Sequence, residues 1–351
     1  MKVAIITDVH WGARNDSQVF VEFYKKFYHG VFFPELERQG IDTVLMLGDT
    51  FDRRKYTNHA TIKAAKEIYF DELKKRNIKT YILIGNHDTF YKNTNEVNTI
   101  QLLLPEYDNL YPIVNAETIE LDGTKICMVP WICAENYVQT FNEINTTKAE
   151  ICMGHFEIAG FEMYRGHPSE GGLSPDSFSK FDIVYSGHYH HRSTKGNITY
   201  LGTPYELTWQ DYADTKGFHI FDLSDRSLSF VPNPHTIFVR LEYDDKEKDP
   251  VELDALDLKD CFLKLVVVNK TDYYKFDKFV NKLYTKGAND IKIAENMSDA
   301  ESSTIDSDID LEDTLSILSN YIDNLQTEVD KDKIKTYMKN LYTEAINIEV
   351  T

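Results

Sequence analysis

Short apolar segments alternate with amphipathic stretches along the first 90 residues. The runs VAIIT (3 to 7), TVLMLG (43 to 48) and TYILIG (80 to 85) are typical of buried strands. Between these runs, in 17 to 39 and 59 to 76, apolar residues recur at the spacing of a helix. Alternation of this kind predicts right-handed crossovers and a largely parallel sheet. The runs KICMVP (125 to 130), EICMG (150 to 154) and DIVYSG (182 to 187) continue the pattern, and from about 198 ITYLG, GFHIFDL, SLSFVP and IFVRLEY predict a strand meander.

The composition changes after residue 243. An acidic surface connection precedes CFLKLVVV, a helix over 271 to 286 and DIKIA, which together predict a small β-α-β unit. The stretch 298 to 314 carries seven acidic residues and no basic one, which predicts a disordered linker. Two amphipathic helices are expected after it, the first marked by Leu315, Leu318, Ile322 and Leu325 and the second by Ile334, Met338, Leu341 and Ala345.

Charge and cysteine usage limit the class of protein. The net charge of -19 argues weakly against a protein that coats nucleic acid, although a local basic face around Arg53-Arg54-Lys55 remains compatible with it. No apolar run approaches the ~18 residues of a membrane span, and the chain enters its first strand without a signal peptide. The four cysteines lack metal-finger spacing. We therefore expect a cytoplasmic protein without membrane contact and with buried free thiols.

Each predicted inner strand ends in a polar cluster. In chain order these clusters contain Asp8 and His10, then Asp49 and Asp52, then Asn86, His87 and Asp88, then His155, and finally His188 and His190. Because ligands bind at the carboxyl ends of parallel strands, we expect the five clusters to converge in space. Taken alone, a histidine in an apolar segment is usually a core residue and a Gly-Asp or Gly-His pair usually marks a turn. Five clusters in order at strand ends favour a functional site.

Convergence would supply carboxylate, amide and imidazole donors without cysteine. This set suits two divalent ions rather than structural zinc, with Mn²⁺ expected first and Mg²⁺ or Fe²⁺ as alternatives. Two ions about 3.5 to 4 Å apart need a bridging ligand, and we predict Asp49 for this role. One ion would be completed by Asp8, His10 and His190, and the other by Asn86, His155 and His188. The glycines before Asp49, Asn86, His155 and His188 are predicted to allow sharp backbone turns.

The remaining histidines lack such a setting and are predicted to be structural or on the surface: His29, His59, His167, His191, His219 and His235. His191 follows His190 directly and should point elsewhere on an extended backbone.

The motifs D-x-H, G-D-x-x-D, G-N-H-D, G-H and G-H-x-H resemble those of calcineurin-like metallophosphoesterases. The segments PWICAEN (130 to 136), GHFEIAGF (154 to 161), YSGHYH (185 to 190) and YLGTPYELT (200 to 208) are similar to nuclease subunits of SbcCD-type DNA double-strand-break repair complexes, T-even-like phage members included. The resemblance covers roughly residues 1 to 235. It implies an α/β metallophosphoesterase sandwich, two central β-sheets flanked by helices, with a small α+β capping domain and C-terminal helices.

The resemblance also implies domains and partners. A nuclease domain would span 1–240, and a capping domain for DNA would span 241–297. An acidic flexible linker would follow at 298–313. The helical segment 314–351 would bind an SMC-like ATPase of the SbcC type. Family members form homodimers through helices beside the site, which makes the faces at Ile62, Ala65, Tyr69, Ile100 and Leu104 candidates. The alternative for these residues is simple packing on the sheet.

The function implied is a Mn-dependent DNA nuclease for double-strand ends and single strands, exonuclease and endonuclease, in repair, recombination and replication. A hydroxide held between two metals would attack the phosphodiester, while His87 assists the leaving group. By analogy Asp52 would orient His87 and favour its imidazolium. Asp88 is a catalytic candidate for which orientation of the backbone turn is an equal alternative. A phosphomonoesterase or protein phosphatase is the alternative function, supported by Asp52-Arg53-Arg54. A non-catalytic scaffold is disfavoured because every ligand position is intact.

Overall fold

The computed structural model describes residues 1–169, 171–246, 253, 256–294, 322, 331, 333–338 and 341. Its strands are β1 (Lys2–Ile6), β2 (Thr43–Met46), β3 (Lys79–Leu83), β4 (Leu110–Ile113), β5 (Glu117–Leu121), β6 (Thr124–Val129), β7 (Ile151–His155), β8 (Glu162–Tyr164), β9 (His167–Pro168), β10 (Ile183–Gly187), β11 (Ser193–Lys195), β12 (Ile198–Tyr200), β13 (Gly217–Asp222), β14 (Leu228–Pro232), β15 (Phe238–Asp244), β16 (Phe262–Asn269) and β17 (Asp290–Ala294).

The helices lie mainly between the strands of the first half of the chain. They are α1 (Gln18–Phe27), α2 (Phe33–Gln39), α3 (His59–Ala65), α4 (Asp71–Lys75), α5 (Thr99–Leu103), α6 (Tyr137–Thr146) and α7 (Tyr273–Thr285). Single π-helical turns, Tyr28–Phe32 and Lys66–Phe70, join α1 to α2 and α3 to α4, so each pair forms one long helical crossover. None of the described helices is long and apolar enough to cross a membrane.

Two six-stranded sheets form the centre of the fold. The first has the order β14-β13-β1-β2-β3-β4, with β1 to β4 parallel and β13 and β14 antiparallel. The second has the order β11-β12-β10-β7-β6-β5, with the four inner strands parallel and the two edge strands antiparallel. The predicted sandwich of two sheets flanked by helices is confirmed.

Apolar side chains of both sheets share one core. Leu45 and Leu83 of the first sheet pack with Met128 and Met153 of the second between the layers. A second core, rich in aromatic residues such as Tyr24, packs α1 to α4 on the outer face of the first sheet, and a third packs α6 on the outer face of the second. All four cysteines are buried free thiols, as predicted.

The predicted meander after residue 198 is wrong except for the antiparallel pair of β13 and β14. Strand β12 pairs with β10 in the second sheet, β13 and β14 extend the first sheet from β1, and β15 enters a third sheet. Apolar runs identify strands, but their pairing depends on which sheet edge is open, and consecutive strands here fill three different edges.

The third sheet is small and entirely parallel. Strands β15, β16 and β17 lie side by side, with α7 joining β16 to β17 as the predicted β-α-β unit. The Asp272 side chain caps α7 by accepting hydrogen bonds from two backbone N–H groups of its first turn. Because β15 runs across residue 240, the expected domain boundary at that residue falls inside a strand that belongs to the smaller unit.

The expected linker, 298–313, lies outside the described residues. In the expected segment 314–351 the structure describes 322, 331, 333–338 and 341, which are helical, and the rest of the two predicted helices lies outside the described residues.

Four of the five residues named as dimer candidates are core residues. Ala65 and Tyr69 are fully buried, and Ile100 and Leu104 are 1% and 3% exposed. They pack in the aromatic-rich core against the first sheet, so the alternative of simple packing is correct for them. Ile62 is half-buried. On the helix Thr99–Leu103 the neighbouring Leu102 is 64% exposed.

Candidate active site

Five loops at the carboxyl ends of β1, β2, β3, β7 and β10 bring the seven predicted ligand side chains together. Three groups have potential ligand atoms within 4.8 Å of one another: Asp8, His10 and His190; Asp49, His155 and His188; and His10, Asp49 and His87. Asn86 joins the second group, because its Oδ1 lies 2.9 Å from His155 Nε2 and 3.1 Å from His188 Nδ1. The two sets expected from the sequence are therefore adjacent.

Asp49 stands between these two sets. Its Oδ2 lies 3.2 Å from His155 Nε2 and 3.7 Å from His10 Nε2, so one carboxylate faces an imidazole of each set. Its Oδ1 accepts a hydrogen bond of 2.9 Å from the backbone N–H of His87. This side chain is almost completely buried. It therefore lies between the two predicted ligand sets.

The loops hold several of these residues in the left-handed backbone region. The φ angles are 52° at Asp8, 42° at His10, 53° at Asp49 and 84° at His188. For residues other than glycine this region costs about 1–3 kcal/mol each and persists only where surrounding contacts enforce it. Backbone hydrogen bonds from Asp8 N to the carbonyl of Gly48 and from His10 N to that of Asp49 tie the first two loops together. Strain concentrated in this way is typical of a functional site.

The glycines before the ligands serve two purposes. Gly48 has a φ of 99°, so the predicted sharp turn occurs there. At Gly85 and Gly187 the requirement is space: a Cβ would lie 2.1 Å from Asp49 Oδ1 in one case and 2.0 Å from Thr7 Oγ1 in the other. The prediction that all these glycines are needed for sharp turns is wrong, because close packing between loops excludes a side chain at these two positions.

The electrostatics of the cluster are set by burial and by mutual contact. Burial lowers the pKa of His155, but the Asp49 carboxylate outweighs it and raises the pKa to about 9. Burial, reinforced by His155, holds the pKa of His188 well below its usual range, and burial lowers that of His190 to about 4. Burial opposes ionisation of Asp49, but the surrounding histidines keep its pKa well below the ordinary value. The cluster thus contains an ionised carboxylate at Asp49 and neutral imidazoles at His188 and His190, the forms in which these side chains bind a cation.

His87 lies at the edge of this cluster. Its Nδ1 donates a 2.6 Å hydrogen bond to the backbone carbonyl of Asp52, which assigns a proton to Nδ1 and makes Nε2 the nitrogen that can exchange a proton with a substrate. Its ring meets the His10 ring edge-on, with 4.8 Å between centroids.

Asp52 differs from its expected arrangement. The support for His87 comes from the main chain of Asp52, whereas the Asp52 carboxylate Oδ1 lies 3.4 Å from His10 Nδ1. The reason is the course of the β2 loop, which places the carbonyl beside His87 and turns the carboxylate to the first ligand set.

Asp88 links two loops through its carboxylate. Oδ1 accepts hydrogen bonds from the backbone N–H groups of Thr50 and Phe51, at 2.9 and 3.2 Å, and Oδ2 accepts one from Gly85 at 2.9 Å. The side chain is fully buried. Of the two alternatives given for Asp88, this geometry favours orientation of the backbone.

Sequence comparison identifies the family. The model of the calcineurin-like phosphoesterases matches residues 1–192. The chain is also 30% identical over 351 residues to Exonuclease subunit 1 of Enterobacteria phage T4, an alignment covering 98% of this chain and 99% of the phage protein. The chain belongs to the calcineurin-like phosphoesterases. It is a metallophosphoesterase homologous to a phage exonuclease subunit, so the resemblance noted in the motifs is confirmed.

Similar solved structures are more distant. An archaeal phosphodiesterase is 13% identical with a TM-score of 0.34 and covers 66% of this chain and 100% of its own. GAP50, the anchor in the inner membrane complex of Plasmodium, is 15% identical with a TM-score of 0.41 and covers 66% of this chain and 84% of its own.

The buried histidines and aspartates of this phosphoesterase fit the metal site typical of the family. His155 Nδ1 donates to the carbonyl of Leu47 at 2.7 Å, so the lone pair of Nε2 is directed at the oxygens of Asp49 and Asn86. Acceptors that face one another in a buried site repel unless a proton or a cation lies between them. The raised pKa of His155 means that a proton on this imidazole relieves the repulsion. A divalent cation would relieve it for all the acceptor atoms of the set.

Trp131 is a site residue of the phosphoesterase that the sequence did not indicate. Its ring lies 5.2 Å from His188 and 6.1 Å from His155, so it forms a wall beside the second ligand set. The side-chain amides of Asn95 and Asn136 both donate to its carbonyl. The available signal was the PWICAEN segment, which served in the sequence only as part of the family resemblance.

Among the remaining histidines, His191 is turned to Asp214, with 3.1 Å between Nδ1 and the carboxylate, as its separation from the cluster predicts. His219 is buried in β13, where burial lowers its pKa to about 3.

Proposed function

We propose that this phosphoesterase is a Mn²⁺-dependent DNA nuclease, an exonuclease and single-strand endonuclease, that works with an SMC-like ATPase in double-strand-break processing, repair and recombination. The observation that carries the proposal is the Asp49 carboxylate between two sets of buried ligands. The exonuclease relative aligned over nearly the whole chain supports DNA as the substrate, and its designation as a subunit supports a partner.

Each ligand set holds one ion in this proposal. Asp8, His10 and His190 would hold the first, Asn86, His155 and His188 would hold the second, and Asp49 would serve both. When bound, the two ions supply an activated water and neutralise charge on the phosphate oxygens. Oxygen and imidazole donors without thiolate favour Mn²⁺, with Mg²⁺ and Fe²⁺ as alternatives.

His87 is the proton donor to the departing sugar oxygen. The hydrogen bond from Nδ1 to the Asp52 carbonyl fixes the ring, and the imidazolium form of His87 gives the proton on Nε2 to the sugar oxygen as the phosphorus–oxygen bond breaks. The Asp52 carboxylate orients His10, and Asp88 holds the β2 and β3 loops at the spacing that the site needs.

Basic and aromatic residues on the two loops beside His87 form the proposed DNA rim. Tyr56 is 62% exposed, with the Arg53 guanidinium 5.0 Å from its ring centroid, and Phe90 is 37% exposed on the loop after Asp88. Exposed rings of this kind stack on unpaired bases, and lysine and arginine neutralise the backbone. Lys55 adds an exposed positive charge to this rim despite the net charge of -19.

Helix α7 provides a second surface of the same chemistry. Tyr273 and Tyr274 are 71% and 68% exposed, and Lys275, Lys278 and Lys282 are exposed along the helix. We assign this face to DNA contact by the smaller unit, consistent with a capping role. Docking of the ATPase on the segment 314–351 and homodimerisation remain part of the proposal by resemblance, and deletion of 314–351 should abolish co-purification with the ATPase subunit.

The phosphomonoesterase alternative draws no added support from the arginines. Arg53 pairs with Asp16 at 3.1 Å, and Arg54 donates to the carbonyl and hydroxyl of Thr89. Both side chains are engaged in joining loops.

Hydrolysis of bis(p-nitrophenyl) phosphate and p-nitrophenyl phosphate, with Mn²⁺ and with chelator, tests the proposal. Diester turnover should dominate, require metal and collapse in His87→Ser. The control is His59→Ser, which alters an exposed histidine at the start of α3 and should leave turnover unchanged. Dominant monoester turnover would favour a phosphatase, and absence of any metal-dependent turnover would favour a scaffold.

A further inference from the structure

A buried lysine lies behind the first ligand set. Lys216, only 5% exposed, precedes β13, and its Nζ lies 2.7 Å from Asp211 Oδ1, 3.0 Å from Asp214 Oδ2 and 2.8 Å from the backbone carbonyl of His190. The contacts with Asp214 and with the His190 carbonyl are hydrogen bonds donated by the ammonium, and the contact with Asp211 is an ion pair. Its charge is therefore compensated and its geometry is fixed in three directions.

Stabilisation of the fold does not explain why Lys216, Asp211 and Asp214 are brought together. A buried ion pair often stabilises a fold no more than well-packed apolar side chains of similar volume, because both charges lose their hydration. The third partner of Lys216 is the carbonyl of a proposed metal ligand, and this contact gives the triad a positional role. Asp211 is itself anchored, since its Oδ2 accepts hydrogen bonds from the backbone N–H groups of Leu207 and Thr208.

Within the described part of the chain, His190 lacks the ring hydrogen bond that orients His155. Among the described residues no hydrogen bond reaches either ring nitrogen of His190, whereas His155 Nδ1 is held by the Leu47 carbonyl. Metal-binding histidines are usually oriented by a hydrogen bond to the second ring nitrogen. The His190 ring makes edge-on contacts with His10 and Tyr164, at 5.2 and 5.4 Å between centroids. Its direction is therefore set mainly by its backbone.

We propose that Lys216 is a positioning residue that replaces this missing hydrogen bond by clamping the His190 carbonyl between Asp211 and Asp214. The clamp aims the His190 imidazole at Asp8 and His10 and so maintains the first metal position selectively. The inference rests on the proposed function, because it takes His190 to be a metal ligand. The adjoining contact between His191 and Asp214 holds the next residue to the same segment.

Manganese titration of the full-length protein by calorimetry, together with paramagnetic resonance of bound Mn²⁺, tests the inference. In Lys216→Met one ion should bind as in the wild type, while affinity for the other falls about 10- to 100-fold, the effect of removing the support of a metal ligand. The same ion should weaken in His190→Ala, which serves as the benchmark. Lys216→Arg keeps charge and donors and should recover most of the affinity.

Lys180→Met is the matched control, because it is the same substitution at a lysine whose Nζ donates to the backbone carbonyls of Ile144 and Thr147 at the end of α6, outside the clamp. It should lower the unfolding temperature without selective loss of an ion. If Lys216→Met does not fold by circular dichroism, Asp211→Asn combined with Lys216→Met removes both charges of the closest pair and is titrated instead.

Tight binding of both ions in the folded variant, or equal weakening of both, would overturn the inference. Failure of the wild-type protein to bind two ions would instead contradict the proposed function.

Discussion

Replacement of Asp88 by asparagine distinguishes a positioning carboxylate from a catalytic one. Three backbone N–H groups donate to the Asp88 carboxylate, two to Oδ1 and one to Oδ2. An asparagine retains one acceptor oxygen, and its best orientation keeps this oxygen towards Thr50 and Phe51. The amide NH₂ then meets the N–H of Gly85, so at least one hydrogen bond to a charged group is lost and two donors oppose each other.

The expected effect follows from these contacts. A hydrogen bond to a charged group contributes about 1.5–3 kcal/mol, and the two that remain become weaker with a neutral acceptor. We expect Asp88→Asn to lower the free energy of unfolding by about 2–4 kcal/mol. Burial raises the pKa of Asp88 to about 6, so the measurement belongs well above that pH, where the carboxylate is ionised.

Urea denaturation in the presence of chelator measures the stability, and Mn²⁺ titration and diester hydrolysis are measured on the same sample. Because Asp88 joins the loops that carry Asp49 and Asn86, stability and metal affinity should fall together with turnover. Asp122→Asn, at an exposed turn between β5 and β6, is the control and should change none of the three. Loss of turnover with unchanged stability and metal affinity would refute the positioning role and make Asp88 a catalytic residue.

Three further predictions concern the surroundings of the site. Tyr205→Phe removes a 2.6 Å hydrogen bond to the Val9 carbonyl. In urea denaturation it should lower the free energy of unfolding by about 1 kcal/mol, and in Mn²⁺ titration it should lower the affinity for the ion at the β1 loop. Unchanged metal affinity would contradict this. Burial raises the pKa of Glu206 from 4.5 to about 7, so the folded state holds this proton more tightly than the unfolded chain. The contribution of this proton to stability is complete below pH 4.5 and is lost as the pH rises to about 7. In urea denaturation the free energy of unfolding of the wild type should therefore fall by up to about 3 kcal/mol relative to that of Glu206→Gln over this interval. Parallel curves of unfolding free energy against pH for the two proteins would refute the prediction. Tyr56→Ala should weaken single-stranded DNA binding by about 1–3 kcal/mol in fluorescence anisotropy with bis(p-nitrophenyl) phosphate turnover unchanged, and equal DNA affinity would remove Tyr56 from the rim.

The clustering of the predicted ligands could be inferred from the sequence, because each of them lies next to a strand that the sequence predicts. Asp8, Asp49, Asn86, His155 and His188 each follow or end an apolar strand, and parallel pairing then brings the strand ends to one edge. The order of motifs along the chain was sufficient, without knowledge of packing.

The hydrogen bonds that support the cluster could not be predicted from the sequence, because they reach backbone atoms of residues far away along the chain. Tyr205 reaches the carbonyl of Val9, and Lys216 reaches that of His190. Neither contact leaves a pattern along the chain. Likewise, the family resemblance named Tyr69 and Ile100 as candidate dimer contacts, but the sequence could not show that both side chains pack in the core of the same chain.

The number of Mn²⁺ ions bound per chain, measured beside diester turnover in the wild type and in His87→Ser, tests the central claim most directly. The claim is that His87 stands beside a two-ion site without being a ligand. Both proteins should bind two ions with similar affinity, while turnover in His87→Ser falls by about 10²–10⁴-fold, the usual contribution of general acid catalysis. Loss of an ion in His87→Ser, or unchanged turnover, would contradict the account.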